Sequence, residues 1–113
     1  MSCSVEPISF GDLDFKWRQV FKNEARIPLT AMECLILEYV VRIRPAEASG
    51  SDIAAYVYGR TPSEYDIKSF WTILCNLRKK LREAHTVVTI ETRKTGSKKR
   101  NYAAGLEEAK TAP

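Results

Sequence analysis

TPSEYDIKSFWTILCNLRKKLREA, residues 61–84, is the stretch on which the reading of this chain turns. Thr61-Pro62-Ser63-Glu64 is a helix-start signal: a hydroxyl to take a first-turn amide, a proline suited to the first helical position, and a carboxylate three residues on to return the bond. Ile67, Phe70, Leu74, Leu77 and Leu81 then recur at three- and four-residue spacing, so a long helix is predicted from Pro62 to near Ala84 with that face buried. The opposite face carries Lys68, Ser69, Thr72, Cys75, Asn76 and Lys79. From Lys68 to Arg82 there are five basic residues and no acidic one, whereas a face kept only for solubility would carry Glu as well. Small hydroxyl and amide groups flanked by cations suit a helix that approaches base edges while its ends reach phosphates.

Upstream, Ser49-Gly50-Ser51-Asp52 offers a cap for a helix of about two turns that carries Ile53, Tyr56 and Val57 and closes at Gly59. Before it, Thr30-Ala31-Met32-Glu33 is a capping box opening a helix whose Met32, Leu35, Ile36, Tyr39, Val40 and Ile43 follow one stripe; Pro45 disfavours helical geometry at Arg44, so the helix ends near Ile43. Cys34 and Met32 read as core. Residues 8–29 alternate apolar and polar (Ile8, Phe10; Leu13, Phe15, Trp17; then Val20, Phe21, Ile27), interrupted at Gly11-Asp12 and Asn23-Glu24, which predicts three short antiparallel strands. Downstream, residues 86–92 are dense in β-branched side chains and residues 100–104 can return across a tip at 94–98. Arg93, Lys94, Lys98, Lys99 and Arg100 crowd five positive charges around Gly96, a tip suited to a phosphate backbone or a narrow minor groove. Tyr102 is expected to pack on the long helix and fix the hairpin's angle.

The order strands, helix, short helix, long helix, hairpin predicts an α+β fold, a winged helix-turn-helix with an N-terminal antiparallel sheet, three helices and a C-terminal β-hairpin wing. Residues 1–7 read as a lead-in, 8–106 as one winged-helix DNA-binding domain and 107–113 as a tail; 113 residues suffice for one core and not for two. The charge supports that reading: residues 1–77 sum to −2, residues 78–100 to +7, and the whole chain to +4.

Three cysteines without paired spacing argue against a disulfide framework or a zinc site and for a reducing, cytoplasmic setting, with no metal and no cofactor expected. No stretch is apolar enough to span a bilayer, so no membrane partner is expected. The chain is not expected to be an enzyme, because one histidine and no phosphate-cradling glycine loop leave nothing to build a catalytic site from. RNA binding is disfavoured by the lack of an aromatic stacking platform. The rival function is a winged helix used as a protein–protein interaction module, which would have no need of a basic wing.

In combination, Leu29-Thr30-Ala31-Met32-Glu33, Leu35-Ile36-Leu37-Glu38-Tyr39-Val40, Leu77-Arg78-Lys79-Lys80-Leu81 and the β-rich stretch ending in Tyr102 resemble the OmpR/PhoB-type winged-helix effector domain of bacterial response regulators, over residues 8–106 and without a receiver domain. The resemblance implies a sequence-specific double-stranded DNA-binding transcriptional regulator. By position it implies Trp71, Thr72 and Asn76 as base contacts and Lys68, Ser69, Arg78 and Lys79 as phosphate contacts. It also implies a 59–66 connection that meets RNA polymerase, and weak or DNA-induced homodimers. The residues alone leave Trp71 either touching a base or sealing the core edge, and Cys75 either a small contact residue or a half-buried hydrophobe. The family's 59–66 loop overlaps the helix start read at Pro62. This chain departs from the family at Ile73, Cys75 and Trp71, and at Asn101, which stands where the family has a glycine.

Overall fold

The computed structural model describes residues 8–16, 19–44, 46–94 and 100–106. They form four strands, β1 (Ile8–Phe10), β2 (Leu13–Lys16), β3 (Gln19–Lys22) and β4 (Ala25–Ile27), then α1 (Ala31–Ile43), a two-residue strand β5 (Ala48–Ser49), α2 (Gly50–Tyr58), α3 (Glu64–Glu83) and a hairpin of β6 (Val88–Lys94) and β7 (Arg100–Leu106). This is an α+β winged helix: an antiparallel sheet β1-β2-β3-β4, three helices, and a second sheet ordered β5-β7-β6.

The N-terminal sheet has four strands where three were expected. Gly11 and the pair Asn23, Glu24 supply the positive φ of two turns, a conformation that Gly and Asn favour by type and Glu24 does not. β2 and β3 pair up to Lys16 with Gln19, and Trp17, read as part of the same alternation, lies outside the described residues. The alternation Leu13, Phe15, Trp17 carries no sign that β2 ends at Lys16. The strand β5, also unforeseen, pairs Ala48 with Tyr102 and Ser49 with Asn101, and is too short to leave a periodic signal.

The helix ends follow local chemistry. Thr30 and Glu33 close the expected capping box of α1, and Arg44 leaves the helix with an extended ψ of 150°, as a residue before proline does. Ser49 caps α2 by accepting from the Asp52 amide, and Gly59 ends it in the left-handed region at φ 72°. For α3 the start is two residues later than predicted. Ser63 and Asp66 form the capping box, so Pro62 belongs to the connecting turn and not to the first helical position. Asp66 prevails over Glu64 because it is held twice: it takes the Ser63 amide at 3.0 Å and forms an ion pair with Arg60 at 2.9 Å while 3% exposed.

One core joins the layers. Leu13, Phe15 and Val20 from the N-terminal sheet meet Ile36, Leu37 and Val40 of α1, Ile53 and Ala54 of α2, Phe70, Leu74, Leu77 and Leu81 of α3, and Val88, Ile90, Tyr102 and Ala104 of the hairpin. Burying an aliphatic or aromatic side chain of this kind contributes about 1.5–3 kcal/mol, so the apolar stripe of α3 alone accounts for much of its attachment. Burial pushes the Cys34 thiol up, leaving it a protonated core group. Met32 is half-buried.

Polar ties fix the N-terminal sheet against α3 and the hairpin. Lys22 Nζ donates to the carbonyls of Ala84 and His85 at 3.1 and 2.9 Å, satisfying the end of α3. The Asp12 carboxylate accepts from the Thr86 hydroxyl and from the Val87 amide. Along the outer side of β6, the Val88 amide donates to Thr86 Oγ1 at 3.2 Å and the Ile90 carbonyl accepts from Arg78 Nη2 at 2.8 Å.

Candidate nucleic-acid interface

α3 is 20 residues long, about 30 Å at 1.5 Å per residue, and only one stripe of it is buried. Its outward face presents Lys68, Trp71, Thr72, Cys75, Asn76, Lys79 and Arg82 as exposed residues, with Ser69 half-buried at the margin. The predicted base and phosphate residues of the helix thus share one accessible surface, except Arg78, which is half-buried on the flank toward the hairpin. Cys75 belongs to that surface as an exposed free thiol, which answers one of the two alternatives left for it. Among the described residues, Lys68, Lys79 and Arg82 have no acidic partner within ion-pair distance.

Two residues on the flank of α3 that faces the hairpin connect the helix to the wing. Trp71 is 36% exposed and carries the Arg100 guanidinium over its ring, 5.1 Å from the centroid. It therefore seals the seam between α3 and β7 and still presents part of its edge outward. One heptad on, Arg78 Nη2 donates to the Ile90 carbonyl and to Thr92 Oγ1 at 2.7 Å, and its guanidinium lies 5.7 Å from the Tyr102 ring centre. Its partners are neutral, so it is anchored to the wing with its charge intact. Tyr102 packs edge-on against Phe70 of α3, 5.8 Å between ring centres, as expected of the residue that sets the hairpin's angle.

The wing is paired from Val88↔Leu106 through Lys94↔Arg100. Of its predicted cations, Lys98 and Lys99, together with the Lys94 side chain, lie outside the described residues. Arg93 is not a free charge: it forms ion pairs with Glu47 at 3.2 Å and Glu91 at 3.0 Å. Glu47, just before β5, also accepts from Asn101 Nδ2 at 2.9 Å. These hydrogen bonds, Asn101 first and Arg93 second, hold the Glu47 carboxyl below the usual carboxylate range. Sequence reasoning had no purchase on Glu47, an isolated acid in an irregular connection. The one signal was Asn101, a polar side chain where a glycine is usual.

The 59–66 connection is a short turn closed by the Arg60–Asp66 ion pair, with Tyr65 standing 76% exposed at the start of α3. Tyr39 and Tyr56 stack at 4.7 Å on the neighbouring surface of α1 and α2. Among the described residues no three His, Cys, Asp or Glu side chains gather as a metal site requires, and no helix is long and apolar enough to cross a membrane.

Over 77 residues, 67% of its length, the chain is 38% identical to a probable transcriptional regulator, ycf27, of Cyanophora paradoxa, and over the same extent 35% identical to the ycf27 regulator of Galdieria sulphuraria. The matched part is 32% and 30% of those proteins, so the chain spans about a third of the length of the curated relatives it matches. No family model matches the chain.

Proposed function

We propose that this chain is a transcriptional regulator's DNA-binding domain, extending over residues 8–106, that sets α3 in the major groove of double-stranded DNA and lays its wing on the adjacent minor groove or backbone. The observation that carries this reading is the outward face of α3, with its hydroxyl, amide and unpaired basic groups and no acid from Lys68 to Arg82, tied to a basic hairpin through Trp71–Arg100. The likeness to proteins named as transcriptional regulators supports it.

Thr72 and Asn76 are the base-reading groups, with the outward edge of Trp71 beside them; Lys68, Ser69 and Lys79 meet phosphates, and Arg78 adds its charge from the position its bonds to Ile90 and Thr92 define. Arg100, with Lys94, Lys98 and Lys99, brings the wing's positive charge to the backbone, while Arg93 acts from within its ion pairs. The 59–66 turn, with the Tyr65 ring outermost, is the surface offered to RNA polymerase, and copies pair weakly or only when side by side on DNA.

The deciding experiment is fluorescence anisotropy of a labelled random duplex of about 30 base pairs titrated with protein at about 50 and 200 mM salt. Phosphate contacts require binding that weakens steeply at the higher salt. Absence of binding at the lower salt would transfer the reading to the protein–protein interaction module.

A further inference from the structure

We propose that Glu47 is a positioning residue for the wing, a carboxylate that locks both strands of the hairpin to the connection entering α2 and so sets the distance between the wing and the recognition helix. The proposal rests on the DNA-binding reading above.

The geometry is specific. Arg93 and Asn101 are directly paired across β6 and β7, and Glu47 bonds each of them, Arg93 Nη1 to Oε2 and Asn101 Nδ2 to Oε1. Glu91, the next residue of β6 on the same face, takes the other end of the Arg93 guanidinium. Ala103, paired with Glu91 on β7, is 1% exposed. One face of the hairpin is therefore held by Tyr102 on Phe70, and the opposite face by a hydrogen-bonded carboxylate network.

That second attachment matters because β5 supports the hairpin over only two residues, Ala48 and Ser49. Among the described residues, the strand beyond Asn101 toward the tip has no partner on the β5 side. Glu47 thus grips the last supported pair. Asn101 is accounted for as well: a glycine at that position could not donate to Glu47.

Electrostatics alone predicts the opposite role. A carboxylate beside a polyanion-binding surface repels phosphate, and removing it should tighten binding. A positioning residue does the reverse, since losing it frees the wing and misplaces its contacts. The test compares Glu47→Ala, Asn101→Ala, the double variant and Asp52→Asn with wild type, by anisotropy on duplex DNA at low salt and by residual dipolar couplings of the hairpin amides relative to α3 in the absence of DNA.

Glu47→Ala should bind about three- to thirtyfold more weakly despite the loss of a negative charge, the usual span for a residue acting through others. Asn101→Ala should lose part of that affinity with no change of charge, and the double variant should bind no worse than Glu47→Ala alone. Asp52→Asn, which removes a nearby exposed acid that makes no bond to the hairpin, should bind as well as wild type or better. In solution Glu47→Ala should alter the hairpin couplings while those within α3 stay fixed. Unaltered couplings, or tighter binding by Glu47→Ala, would overturn the proposal. A wild-type protein that binds no duplex at low salt would overturn the DNA-binding reading instead, and the couplings would then decide the lock by themselves.

Discussion

The Arg100 guanidinium lies over the indole of Trp71, 5.1 Å from its centre, and joins the tip-side end of β7 to α3. A cation over an indole is worth about 0.5–1 kcal/mol at an exposed site and more once water is displaced, as it would be under a DNA duplex. Neither residue is therefore an independent contact.

Trp71→Ala should weaken DNA binding, and the loss should be smaller when Arg100 has already been replaced by Ala. A double-mutant cycle by anisotropy measures that coupling. Strictly additive losses would mean that the two residues act separately.

Asn76 stands exposed on the flank of α3 away from the hairpin, where it bonds to nothing that would spend its amide. Asn76→Ala should cost about 1–3 kcal/mol on the preferred sequence and leave random DNA nearly unaffected, whereas Lys79→Ala should weaken both alike and reduce the salt slope by about one. Competition titrations with specific and random duplexes check this. Equal losses for Asn76→Ala would remove it from the base-reading set.

Gly11 turns β1 into β2 at φ 62°, and a Cβ there would stand 2.7 Å from Leu106 Cδ2 and 3.0 Å from Val88 Cγ2. Gly11→Ala should therefore combine backbone strain with overpacking and destabilise the fold by about 1–3 kcal/mol. Gly59→Ala, equally left-handed but with open space around it, should cost less. Thermal unfolding of the two variants compares them.

Lys22 closes the C-terminal end of α3 from another sheet by donating to Ala84 and His85. Lys22→Met keeps the apolar stem and loses the charge at the helix terminus, so it should destabilise by about 1 kcal/mol. Faster amide exchange should appear in the last turn of α3 rather than at its start. Uniform exchange along the helix would count against a capping role.

The bonds from Asn101 and Arg93 depress the folded-state titration of Glu47, so its contribution is present at neutral pH, above the ordinary glutamate range. It is lost as pH falls through and below that range, because a protonated carboxyl no longer pairs with Arg93. The Asn101 side-chain amide signals should shift across that acidic window in wild type and stay unmoved in Glu47→Gln.

Where a residue type has one physical use, its place was legible in the sequence. Thr30 with Glu33, Ser49 with Asp52 and Gly59 marked helix ends, and the stripe Phe70, Leu74, Leu77, Leu81 marked the buried side of α3 and so its outward face. Legibility failed where structure depends on partners distant in sequence. Two capping boxes overlap at 61–66, and the choice between them turns on Arg60 reaching Asp66. Nothing in the alternation Leu13, Phe15, Trp17 marks the end of β2 at Lys16. Arg93 counted as wing charge until Glu47, 46 positions away, became its partner.

The outer edge of β6 has a consequence for the chain in company. A bare strand edge offers amides and carbonyls to any other extended chain, which is how sheet proteins begin to aggregate. Here the Thr86 hydroxyl already occupies the Val88 amide and the Arg78 guanidinium the Ile90 carbonyl. Arg78 thereby shields a strand edge as well as joining α3 to the wing, and replacing it would leave the Ile90 carbonyl open to another extended chain.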